Sequence, residues 1–229
     1  MLNPIEEARH ADLKNRCREL GVSPPPEIFI GLQVVDRNGV LIFDDKQRGH
    51  SWLRNYWNWA FWSTTLTPPT GSTYEAGSLA TKAETGEIKN DDGCINATWR
   101  NAGMNADAGI VVGTSDTTFS AEHCAMGALI AHGAGAGQLA YCGQATPTAS
   151  YTSDTKTWKS TLARIFNNNS SGSITVKETG LRINGGIFYA GYGYRFLLER
   201  SVLNPTATVP VGAQLTVTYE ISMDFSAID

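Results

Sequence analysis

Few residues in this chain are of the types that do chemistry, and those few do not fall into working patterns. His123 and Cys124 are adjacent, with His132 and Cys142 downstream, so zinc-compatible ligand types do occur together. Their gaps match no finger or ribbon, and neighbouring side chains are poorly placed to share one tetrahedral ion. "HGAGAGQ", residues 132–138, has the glycines of a phosphate cradle but neither the following Lys-Ser/Thr nor the helix start. It reads as a loop. The acids of "DDKQ" (44–47) and "NDDG" (90–93) sit in turn contexts, where carboxylates bond to nearby backbone. No pair among them can be assigned to glycoside hydrolysis from spacing alone. A Gly-x-Ser-x-Gly elbow is absent. The expectation is a protein that is not an enzyme, with no catalytic residue, no metal and no cofactor.

The concentration of side-chain bulk lies elsewhere. "HSWLRNYWNWAFW", residues 50–62, holds four of the six tryptophans. As a helix it places Trp52, Tyr56 and Trp59 on one face, with Leu53, Trp57 and Phe61 beside them. Apolar bulk then covers most of the circumference, which points to burial on nearly all sides. A membrane-surface helix needs a charged face, and Arg54 is the one basic residue here. A sugar-stacking platform needs exposed rings. The preferred reading gives Trp52, Tyr56, Trp57, Trp59 and Trp62 packing or interface roles, and Trp57→Ala is expected to cost about 3–5 kcal/mol if that ring is buried. A carbohydrate- or receptor-binding module is the second reading, and a glycan-degrading enzyme on a β scaffold the third.

Several elements must position that segment. Asn3, Pro4, Glu6 and Glu7 mark a helix start, and Gly21 marks its end. The stripe of Ile5, Ala8, Leu13, Cys17 and Leu20 is expected to dock, on its own chain or a neighbour's. "SPPPE", 23–27, is a stiff spacer. Two apolar runs flank Asp36-Arg37-Asn38-Gly39, a hairpin signal. Residues 63–108 read as a long connection with room only for short strands. Ser120 is placed to cap a short helix over 121–131. "TWKSTLARIF", "NNNSSG" and "SITVKETGLRI" read as strand, turn and strand of one hairpin. In the last strand Leu215, Val217, Tyr219, Ile221, Met223 and Phe225 share one face.

With no strand-helix-strand rhythm, the fold expected is mainly β. It is an antiparallel two-sheet sandwich, jelly-roll-like, with an N-terminal helix and one or two short inserted helices. Residues 1–26 form a helical arm and spacer, and 27–229 a single sandwich domain carrying the aromatic helix 50–62. Composition agrees: 23 glycines, and charged residues at 17% against about 25% in an average chain. A net charge of −4 without a basic patch argues against nucleic acid. No run of about 18 apolar residues predicts a membrane span. The charged N-terminus lacks the apolar middle of a signal peptide, so Cys17, Cys94, Cys124 and Cys142 are expected as reduced, mostly buried thiols.

The C-terminal half also resembles a recurrent pattern in structural proteins of tailed bacteriophages. The matching residues are Val112-Gly113-Thr114, then Ile174-Thr175-Val176-Lys177-Glu178-Thr179-Gly180-Leu181, then Val209-Pro210-Val211-Gly212. "HSWLRNYWNW" is similar to the aromatic segment that precedes them in such proteins. The likeness covers residues 50–60 and 109–223, and residues 185–195 depart from it. It implies a virion component of the capsid surface or tail, made in the host cytoplasm. Its partners would be copies of itself and other virion proteins.

Overall fold

A computed structural model of the chain describes residues 4–49, 52–62, 81–89, 104–186 and 193–226. Two antiparallel sheets pack face to face as a β sandwich. Helix α1 (Pro4–Glu19) precedes strands β1 (Glu27–Val35) and β2 (Leu41–Arg48), and helix α2 (Arg54–Trp62) follows them. A small hairpin, β3 (Thr81–Lys82) with β4 (Ile88–Lys89), comes next. Then follow β5 (Gly109–Gly113), β6 (Ala140–Tyr141), β7 (Thr148–Thr152), β8 (Thr157–Asn167), β9 (Ile174–Gly186), β10 (Gly193–Val209) and β11 (Gln214–Asp224). The first sheet runs β2-β1-β11-β8-β6, with β7 also on β8, and the second runs β10-β9-β5.

Period-2 patterning produces these strands. Ile28, Ile30, Leu32 and Val34 of β1 are buried, as are Leu215, Val217, Tyr219 and Ile221 of β11. The two strands pair with Ile30 opposite Tyr219 and Leu32 opposite Val217. These side chains meet Ile110, Val112, Val176 and Leu181 of the second sheet in one core. Met223 and Phe225, expected on the same face, are only half-buried because they pass the end of the core. The Asp36–Gly39 turn forms as expected. Asp36 Oδ1 accepts from the amides of Asn38 and Val40, at 2.8 and 2.9 Å, and Gly39 takes φ +82°.

Three expected elements differ. β8 and β9 do not make a hairpin, because they belong to different sheets. Residues 168–173 carry the chain across the sandwich instead. The fully buried Asn168 holds that arch, its Nδ2 donating to Gly172 O and Val209 O and its Oδ1 accepting from Ser170. Residues 121–131 are not helical. Ser120 closes only a local turn, and the amides of Thr114 and Ile130 pair instead with Ala128 O and Val112 O. The aromatic helix starts at Arg54 rather than near His50, because Trp52 is extended in a β-bridge to Glu199 and Leu53 N donates to Leu198 O.

These last contacts have a further effect. Among the described residues each edge of the second sheet is met at one place, β10 by Trp52 and Leu53 at Leu198–Glu199, β5 by a bridge from Leu129 to Gly113. In the first sheet all five residues of edge strand β7 are exposed. Covered edges resist pairing with another chain, and open ones invite it.

Candidate functional site

The aromatic segment, the helical arm and the start of β1 converge on one cleft of about 180 Å³. Trp52, Trp57, Leu13, Pro25, Pro26 and Ile28 wall it, and His10, Glu27 and Arg48 bring charge to it. Trp52 is 3% exposed, its ring stacked on Tyr56 at 3.9 Å and its Nε1 donating to Pro26 O at 3.4 Å. Trp57 is half-buried and meets Tyr56 edge-on at 5.1 Å. The structure thus brings Trp52, Tyr56 and Trp57 together, while the side chains of Trp59 and Trp62 lie outside the described residues. One functional anchor went unread in the sequence. Asn55 is fully buried, donating to Lys82 O and Leu197 O and accepting from Lys82 N, so it pins α2 to β3 and β10. Its amide sits among rings that dominate the pattern, and only its position one residue into the helix hinted at an anchor.

The arm docks by charge, against expectation. The residues of α1 turned toward the body are Glu7, His10, Lys14 and Cys17, whereas Ile5, Ala8, Leu13 and Leu20 are exposed. Arg48 clamps Glu7 through both Nε and Nη2 at 2.9 Å and reaches Glu27 through Nη1 at 2.9 Å. Glu27 also takes Lys14 and, at 3.0 Å, His10. Burial raises the Glu27 pKa, but bonds from Lys14, Arg48 and His10 outweigh it and bring it down to about 2. That acid therefore stabilises docking above its ordinary pKa of 4.5, an effect lost only as pH falls toward 2. Salt is the better key, since ion pairs near the surface weaken as the Debye length shrinks to about 3 Å at 1 M. Arg48→Ala is expected to loosen residues 4–19 selectively. Trypsin should then cut at Lys14 and Arg16 much faster while the sandwich stays intact, and unchanged cleavage would refute the charge clamp.

A second cluster of polar groups is enclosed within the fold. Arg200 and Glu178 are fully buried and joined Nε to Oε2 at 2.6 Å. Glu178 also accepts the amides of Gly127 and Ala128, at 3.1 and 2.7 Å, and Arg200 Nη1 reaches Thr117 O. Arg164, 1% exposed, donates to four backbone carbonyls, those of Asn105, Ala108, Ile110 and Cys142. These side chains tie loops to sheets. His123, Cys124, His132 and Cys142 do not converge, and the described residues contain no group of three or more potential metal ligands. His123 Nδ1 accepts the Ser120 amide and His132 Nδ1 that of Tyr141. The loop at 132–138 is closed on itself by Gln138 Oε1, which accepts from Gly135 N at 2.9 Å. Cys17, Cys124 and Cys142 are free thiols, half-buried rather than buried, and Cys94 lies outside the described residues.

Among the described residues no helix is long and apolar enough to cross a membrane. Comparison with protein-family models, with curated proteins and with solved structures gave no match.

Proposed function

We propose that this protein is a structural component of a phage virion, in the tail or on the capsid surface, and that it works by assembling with copies of itself and with other virion proteins. The observation that carries the assembly reading is a run of three aliphatic side chains, Val40, Leu41 and Ile42, that are 56, 51 and 48% exposed where edge strand β2 begins. A solitary soluble domain avoids such a run on an open sheet edge. Ile5 and Leu20 on α1 and Val211 at the β10–β11 turn add further exposed apolar surface. The virion setting rests on the likeness of residues 109–223 to tailed-phage proteins. In this reading the aromatic cluster is a packing element, and the protein carries out no reaction. The near-complete burial of Trp52 supports that over an indole platform for sugars.

Size-exclusion chromatography with light scattering tests the proposal. The full chain is expected to form a defined oligomer or polymer, and Leu41→Asp together with Ile42→Lys to shift it to monomer with an unchanged melt. A wild-type monomer at every concentration, or one that retains oligosaccharide, would displace assembly in favour of a glycan-binding module.

A further inference from the structure

Glu199 stands where three parts of the fold meet. It belongs to β10, its backbone bridges Trp52, and its carboxyl reaches Tyr219 of β11 in the opposite sheet. It is completely enclosed. Its polar partners are hydroxyls: Ser201 Oγ bonds Oε1, Tyr219 Oη lies 2.6 Å from Oε2, and Thr179 Oγ1 of β9 lies 2.6 Å from that same tyrosine oxygen. The charged groups nearby are Arg200 and Glu178, which are paired with each other, and Arg200 spends Nη1 on Thr117 O and His123. Tyr219 stays neutral, since burial and then the neighbouring carboxyl hold its pKa well above the ordinary value. Among the described residues no cation pairs with Glu199, so ionising it would leave a bare charge at the junction of the sheets, which is strongly disfavoured.

We propose that Glu199 is a proton-operated lock between the two sheets, closed while its carboxyl carries a proton and eased when it ionises. In the closed state the acid proton lies between Oε2 and Tyr219, and the tyrosine hydroxyl donates to Thr179. On ionisation the chain reverses, with Thr179 donating to Tyr219 and Tyr219 to Oε2. All three hydrogen bonds survive with the Thr179 hydroxyl turned round, so the buried charge is the main difference between the states. Burial raises the acid to about 7, against the lowering effects of Ser201, Tyr219 and Arg200. The native state therefore holds this proton more tightly than the unfolded chain does. The stabilisation is complete below the ordinary value of 4.5 and is lost as pH rises through 7.

Denaturant unfolding at pH 5.5 and 8.5, on wild type and Glu199→Gln, tests this. From this group alone the wild-type unfolding constant should rise roughly thirtyfold over that interval, a rise missing in the variant. His123, whose pKa is lowered first by burial, acts in the opposite sense but equally in both proteins, so the comparison removes it. Parallel pH profiles would overturn the lock. Should Glu199→Gln fail to fold, the carbon-13 signal of the Glu199 side chain in wild type decides. A titration near neutrality supports the lock, and one in the ordinary carboxylate range overturns it.

Discussion

Replacing Arg200 by methionine is expected to destabilise the sandwich by about 3–5 kcal/mol, the usual cost of removing one partner from a buried ion pair. The loss has a specific source. Glu178 is 0% exposed and would be left enclosed with only the amides of Gly127 and Ala128 as partners. Those amides hold the loop after β5, and the loop is closed down tightly there. A Cβ on Gly113 would stand 2.3 Å from Glu178 Oε1 and 2.6 Å from Ala128 O. Backbone therefore crowds the Glu178 carboxyl on its Gly113 side.

Arg200 also carries a cost of its own, since its buried Nη2 has no hydrogen-bond partner among the described residues. The pair is thus specific without being a large net gain, and removing both charges should be far milder than removing one. Arg200→Met with Glu178→Gln is expected to recover most of the lost stability in urea unfolding. The Gln carboxamide oxygen can still accept from the loop. Equal destabilisation in the single and double variants would show that the geometry of the pair, rather than its unbalanced charge, matters.

Such buried charges explain where the sequence stops being legible. β1 and β11 declare themselves because one face is apolar along their pairing, and a one-residue slip would turn that face to water. Asn-Gly at 38–39 fixes the β1–β2 turn for an equally local reason. "NNNSSG" is local too, but a hairpin and a crossing between sheets use the same turn residues. What separates them is the distant capture of Asn168 by Val209 O and Ala213 O. Glu178, Glu199 and Arg200 are of types that are almost never fully buried unless paired, yet all three are fully buried. Nothing within several residues announces that the 114–128 loop will cover one pair and Tyr219 will cover the third. The docking face of α1 fails for a related reason. Hydrophobic periodicity assumes an apolar contact, whereas the body presents Arg48 and Glu27 to it. In the aromatic segment Trp52 is 3% exposed, and its extended backbone is not legible in the sequence because the Glu199 bridge partner lies far along the chain.

That bridge decides which tryptophan matters most. Trp57, whose truncation is expected from sequence to cost about 3–5 kcal/mol if the ring is buried, is half-buried and lines the cleft, so Trp57→Ala leaves a dent that solvent can fill. A cost of about 1–2 kcal/mol is expected, in proportion to the area it hides. Trp52→Ala removes a ring enclosed between Tyr56, Pro26 and the edge of β10, and the pinned backbone there cannot collapse into the space. The expected cost is about 3–5 kcal/mol. The loss should spread, because Trp52 meets the arm side through Pro26, α2 through Tyr56 and β10 through Glu199. Chemical unfolding monitored by far-ultraviolet circular dichroism ranks the two variants directly. If Trp57→Ala proves the costlier, the segment is held from its cleft-facing side, and the covering of β10 by Trp52 contributes little to the fold.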